Sequence, residues 1–222
     1  MVAAMSVDIN EVGLLDWKRR VFELYARIRR STAPDEAWRE WREERDHLFG
    51  QHPQSPLPPE ERSAFAGLPY FDYDPGLRVT GTLAPTDRDR IQIATSGQAP
   101  YRFVRFARAS FELLGEPQFL SLFWLEGYGG GAFLSFRDET SGDTTYGAGR
   151  YLIDTVKGAD LGTENDRLVL DFNFAYNPSC SYDPRWVCPL APPENRLTVP
   201  VEAGEKKAAE RAEGTPGHVV RT

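Results

Sequence analysis

The sequence predicts a mainly β fold, an antiparallel barrel or sandwich of about eight strands, with an α-helical hairpin ahead of it. Three observations carry this. The N-terminal quarter repeats its apolar residues at three- and four-residue steps. A proline-rich stretch then stops that pattern, and short runs of β-branched and aromatic residues follow. These runs are close together in sequence, which suits hairpins rather than βαβ units.

The first helix is predicted over about 14–30, where Leu14, Trp17, Val21, Leu24 and Ile28 share a face. Arg19, Arg20, Arg27 and Arg30 form an ordinary solvated face opposite. Pro34 suits the first turn of a second helix over about 35–49, which aligns Trp38, Trp41, Arg45 and Leu48. Arg39 with Glu43 and Arg42 with Asp46 have i,i+4 spacing. A lone hairpin cannot bury this aromatic stripe. It must pack on the β domain or on a second copy, so a homodimer through the N-terminal helices is one candidate partnership.

Pro53, Pro56, Pro58 and Pro59 end the helical unit, with room for a short helix from Pro58 to Gly67. The predicted strands are LRVTGTL, RIQIAT, YRFVRFAR, SFELL, QFLSLFWL, GAFLSF, TTYGAGRYLI and RLVLDFNF, with a last one near 196–201. From Ala203 the composition turns polar and small, as in a frayed tail. The chain thus divides into a helical extension over 1–52, a β-rich domain over 53–202 and a flexible tail over 203–222.

A net charge of -7 argues against nonspecific nucleic-acid binding. The longest apolar run is too short to span a bilayer, and the N-terminus lacks the basic and apolar regions of a secretory signal. The expected location is cytoplasmic, where Cys180 and Cys188 are reduced thiols packed as small hydrophobes. They supply two soft ligands where structural zinc wants four, and His47, His52 and His218 lie elsewhere in sequence. No metal and no cofactor are expected. GYGGGAF at 127–133 opens no helix, so it reads as a hairpin loop rather than a phosphate loop.

Alternation selects the candidate site. Tyr146, Ala148, Arg150 and Leu152 would share one strand face, which places a guanidinium among apolar neighbours. Burial there demands a carboxylate or carbonyls. Along LVLDFNFAY, Leu170, Phe172 and Phe174 point one way, Asp171 and Asn173 the other. Asp171 is the expected bidentate partner of Arg150. The proline-braced stretch from Asp171 to Leu197 would then cover one end of the barrel. It would bring Asn173, Tyr176, Asn177, Cys180 and Tyr182 towards the pair, lining a pocket for a small polar or anionic ligand.

The blocks SPL, FAGLPYF, FRDETSGDTTYGAGRYL, DFNFAYNPSCSYDPRWVCPLAPPENRL and VEAGEK resemble the signature blocks of the bacterial family called domain of unknown function 1684. The resemblance covers about 55–206 and implies a real domain without an assigned activity. Three functions stay open at this point. The first is a small-molecule-binding or enzymatic barrel. The second is a cysteine-dependent enzyme or redox protein using Cys180, for which no histidine lies nearby in sequence to act as base. The third is a structural or interaction protein that docks through Trp38 and Trp41.

Overall fold

A computed structural model describes residues 10–208. Helices α1 (Asn10–Ile28) and α2 (Pro34–Gln51) form the hairpin, and α3 (Pro59–Arg62) is a single turn after the prolines. The strands are β1 (Arg78–Pro85), β2 (Arg90–Ile93), β3 (Tyr101–Leu113), β4 (Glu116–Leu125), β5 (Gly131–Phe136), β6 (Arg150–Asp154), β7 (Thr163–Glu164) and β8 (Arg167–Asp171). They form one 8-stranded antiparallel sheet, curled into a half-barrel, in the order β6-β5-β4-β3-β1-β8-β7, with β2 also on β3. Among the described residues no helix is long and apolar enough to cross a membrane.

Several predicted boundaries change. YRFVRFAR and SFELL are one strand, because β3 pairs with β4 from Phe103 to Leu113 without a break in the chain direction. The register shifts once, between Arg105 and Ala107, and this bulge has a structural use. Phe103 packs with the helices, whereas Ala107, Ala109 and Phe111 face the opposite core. An extra residue is what moves side chains of the same parity to the other face. TTYGAG is loop rather than strand, so Tyr146 and Ala148 do not share a strand face with Arg150. The stretch 196–201 is not a strand: Arg196 makes a single parallel bridge to Arg137, and Thr198 is held by the Gln118 side chain.

Both faces of the sheet are buried. Leu122, Leu134, Leu152 and Leu170 pack with Leu197, Val199, Val201 and Ala203. Phe123, Phe133 and Tyr151 turn the other way and pack with Leu24, Tyr25, Trp38 and Trp41. The aromatic stripe of the hairpin is therefore covered by this chain's own sheet. That overturns the idea of Trp38 and Trp41 as a docking face, since both are buried against Phe174, Tyr70 and Tyr73. The expected helix-surface ion pairs also differ. Arg39 pairs back to Asp35 at 2.8 Å, Arg42 lies over the Trp38 and Tyr70 rings, and Asp46 accepts from the Leu68 amide at 2.9 Å.

The polar C-terminal stretch is not a tail throughout. Ala203 and Glu205 are buried. The amides of Glu205, Lys206 and Lys207 donate to Ala175, Pro69 and Thr144 at 2.9, 2.9 and 3.0 Å. Composition misleads here because backbone hydrogen bonds and one buried carboxylate, not apolar side chains, fix the segment. The rest of the predicted tail, 209–222, lies outside the described residues.

Candidate functional site

The candidate residues separate into a joint, a clamp, a cleft and a thiol corner. The joint lies where β8 ends. Asp171 Oδ1 accepts from the backbone and side-chain amides of Asn173 at 3.1 and 2.8 Å. This local competition for the carboxylate turns the chain into a 3-10 helix over Phe172–Phe174. It ends the strand alternation and sends Phe174 to the helix side with Trp41. Asn173 grips the backbone of Asp74 in both directions, at 2.9 and 2.8 Å, and its carbonyl accepts from the Trp38 indole at 3.0 Å. These are positioning contacts.

Asp171 faces Arg78 at 3.6 Å, not Arg150. Burial pushes its carboxyl up to about 6, against the pull of the Asn173 bonds and Arg78. The folded state thus binds this proton more tightly than the unfolded chain. Its contribution to stability is full below the ordinary carboxyl value of 3.8 and is lost as pH rises through about 6. Asp171→Asn is expected to remove a decline on the order of 2–3 kcal/mol across that interval. Urea unfolding of wild type and variant at a series of pH values checks this; parallel pH profiles would contradict it.

Arg150 forms the clamp. It is 1% exposed, as expected for a guanidinium on an apolar strand, but its partner is Asp138, which is 0% exposed and 2.9 Å away. Arg150 also donates to the carbonyls of Val201 at 2.9 Å, Glu205 at 3.4 Å and Ala203. Asp138 in turn accepts from the Thr140 amide and hydroxyl and from the Val201 amide. The pair therefore fastens residues 201–205 to the sheet edge. The Arg150–Asp171 pair predicted from sequence is not formed because the β5–β6 connection supplies a carboxylate closer to the guanidinium.

The cleft opens between the helical hairpin and the chain after the joint. Its wall includes Trp17, Val21, Trp41, Phe49, Tyr176 and Asn177, with Arg45 and Lys157 as its cations. Two of the predicted residues, Tyr176 and Asn177, reach it. Tyr176 is fixed by a two-way backbone bridge to Tyr151, at 2.8 and 3.0 Å, and by the Arg45 guanidinium 5.0 Å from its ring centre. Tyr182 lies behind this wall. Its hydroxyl donates to Glu205, whose other oxygen accepts from Arg45 at 2.8 Å and from the Asn177 amide at 3.0 Å. Arg45 completes its fork on the Tyr70 hydroxyl at 2.9 Å. Burial raises the Glu205 carboxyl, and Arg45 is the largest influence opposing it.

Asn177 is 3% exposed. Its Nδ2 donates to the Lys206 carbonyl at 2.9 Å, which fixes the amide orientation. Its Oδ1 is left without a hydrogen-bond partner. Arg45 and Lys157 are the cleft-lining cations that sequence reasoning missed. Arg45 carried a signal, a charged residue within the apolar stripe of α2. Lys157, on the turn after β6, carried none.

Cys180 is the fourth location. It is half-buried in a 3-10 turn over Ser179–Ser181, with Tyr146 Oη 3.9 Å from its sulfur and the buried Cys188 beside it. Among the described residues no group of three or more His, Cys, Asp or Glu side chains is placed to hold a metal ion.

A curled antiparallel sheet, carrying a helical hairpin over a small aromatic cleft and closed by an internal Arg–Asp clamp, defines the class of this protein. Residues 63–206 match the family model described as "Protein of unknown function (DUF1684)", and the chain belongs to that family. A solution NMR structure of an uncharacterized protein from gene locus rrnAC0354 of Haloarcula marismortui is similar to it. The identity is 38% with a TM-score of 0.56, over 80% of this chain and 100% of that one. No curated protein matches.

Proposed function

We propose that the protein binds a small amphipathic molecule in the cleft, inserting a short apolar end that carries a hydroxyl or a neutral N–H donor. The observation that carries this is the unpaired, buried Oδ1 of Asn177, a residue of a wall that is mostly aromatic and aliphatic and whose cations, Arg45 and Lys157, are already paired. An unsatisfied buried acceptor costs about 1–3 kcal/mol, so a donor placed there gains an unusual advantage over water-exposed alternatives. The cleft holds about 70 Å³. That is several times the roughly 10–15 Å³ that admits one water, and about half the roughly 150 Å³ that holds benzene. The occupant is therefore the end of a molecule, with the remainder outside.

Of the polar or anionic ligands expected from sequence, charge supports a neutral polar one. Arg45 is matched by Glu205 at 2.8 Å and Lys157 by Asp154 at 3.3 Å, so neither cation requires a ligand carboxylate. Arg150 is saturated inside the clamp and takes no part.

The test compares 1-butanol with methyl propyl ether, which has the same heavy-atom count but no donor. NMR titration is expected to give at least about fivefold tighter binding of the alcohol, the lower end of the hydrogen-bond range converted to affinity. Val21→Phe, which fills the cleft, is expected to abolish it. Equal binding of both probes, or binding unaffected by Val21→Phe, contradicts the proposal.

A further inference from the structure

We propose that Cys180 and Cys188 form a redox-active dithiol, with Cys180 as the attacking sulfur in exchange with a small-molecule disulfide. This site is separate from the ligand reading of the cleft and does not rest on it. Four chain segments converge to build it. Cys188 is locked to the segment before β3: its amide donates to Ser96 Oγ at 3.0 Å, and its carbonyl accepts from the Ser96 amide at 3.0 Å. The adjacent bridge between Thr95 and Pro189 and the Leu190 amide bonded to Ala94 at 2.8 Å fix the same register. The turn over Ser179–Ser181 brings Cys180 to this anchored thiol, and Tyr146 Oη approaches from the β5–β6 connection at 3.9 Å.

The two sulfurs have different environments. Cys180 is half-buried and can meet a reagent, whereas Cys188 is buried. The neighbouring Cys188 thiol is the main influence that holds the Cys180 thiol below the usual thiol range; the Tyr146 hydroxyl, 3.9 Å from the Cys180 sulfur, also favours the thiolate. Cys188 is held correspondingly high by its proximity to Cys180, by burial and by the charge on Cys180, while Lys157 pulls it down. Tyr146 and Tyr151 are the other titratable groups that interact with the two thiols, and the Asp154 carboxylate pairs with Lys157 at 3.3 Å. The outer thiol is thus the easier of the two to ionise. A low-pKa, accessible thiol with an inner neighbour is the arrangement for attack followed by resolution.

The exchange balances. Cys180 thiolate attacks one sulfur of a disulfide RSSR, forming Cys180–SR and releasing RS⁻, which takes a proton from solvent. Removing the Cys180 charge removes one influence that holds the Cys188 proton in place. Cys188 then loses that proton to solvent and attacks the Cys180 sulfur. The Cys180–Cys188 bond forms, and the second RS⁻ departs and is protonated. Two thiols are oxidised, and one disulfide is reduced to two thiols.

The test uses the full chain in glutathione buffers of graded ratio, with alkylation and intact mass as the readout. Wild type is expected to pass from two alkylated cysteines to none with no retained glutathione, and Cys188→Ser to stop at a mixed disulfide on Cys180. Tyr146→Phe is expected to fold and to shift the pH midpoint of Cys180 alkylation upward from a wild-type value well below about 8.5. Persistent mixed disulfide in wild type, failure of both cysteines to react, or an unshifted midpoint in Tyr146→Phe would overturn the proposal.

Discussion

Arg150→Met is expected to lower the stability of the domain by at least about 3–5 kcal/mol, the usual cost of leaving one member of a buried ion pair behind. The stranded group would be Asp138, which is 0% exposed. The carbonyls of Val201, Ala203 and Glu205 would lose donors in the same step. A loss of that size is a large fraction of the ~5–15 kcal/mol that holds a typical domain folded. Adding Asp138→Leu is expected to recover only part of it. The apolar pair removes the stranded charge, but Thr140 and the Val201 amide still lose their acceptor. Urea unfolding measures the loss. Hydrogen exchange locates it, because the Glu205 and Lys206 amides, which anchor the stretch beyond the clamp, should exchange faster than those of β3. An Arg150→Met protein with wild-type midpoint and unchanged protection at these amides would show that the clamp holds nothing.

The second large effect is at Trp41. Its side chain is 0% exposed, donates to the Tyr25 hydroxyl at 3.1 Å and packs edge-on or tilted against Tyr70 and Phe174 at 5.5 and 5.2 Å. Trp41→Ala is expected to cost about 3–5 kcal/mol, from lost burial plus an unfilled cavity. Deleting residues up to Gly50 should cost more, because Leu24, Tyr25, Trp38, Leu48 and Phe49 are buried as well. Each fully buried large side chain contributes roughly 1.5–3 kcal/mol. The truncated chain should lose its cooperative thermal transition. A truncated chain that melts as wild type does would mean that the hairpin is an appendage rather than half of a core.

How much of this could be read from the chain depends on which force fixed each part. The helices and most strands follow hydrophobic periodicity, and periodicity is local, so Trp17, Trp38 and Trp41 announced a buried stripe. The bulge between Arg105 and Ala107 reverses a face without leaving any residue signature. Burial of Arg150 was legible because a guanidinium stood on an apolar strand. Its partner was not, because Asp138 sits in a stretch with turn composition, and turn chemistry looks solvated. Asp171 was read as the partner for its type, yet Asn173, two residues on, captures it. The Ala203–Lys207 segment hides for the same reason as the Arg45–Glu205 pair: polar residues that bury together look like surface when read singly. Tyr176 and Asn177 were found through the proline-braced block. The cleft they line needed Arg45 and Lys157, contributed from positions far apart in sequence.

The proposed meeting place with a small molecule is the cleft beneath the helical hairpin. The most direct measurement is two-dimensional NMR of the isotope-labelled chain during titration with 1-butanol. The indole N–H of Trp17 and the amides of Tyr176 and Asn177 are expected to shift together, along one saturable isotherm. The Asn173 amide and the Arg150 guanidinium signals should stay fixed, since the joint and the clamp lie outside the cleft. Linear, unsaturable drift at all positions, or saturable shifts centred on Arg150, would contradict it.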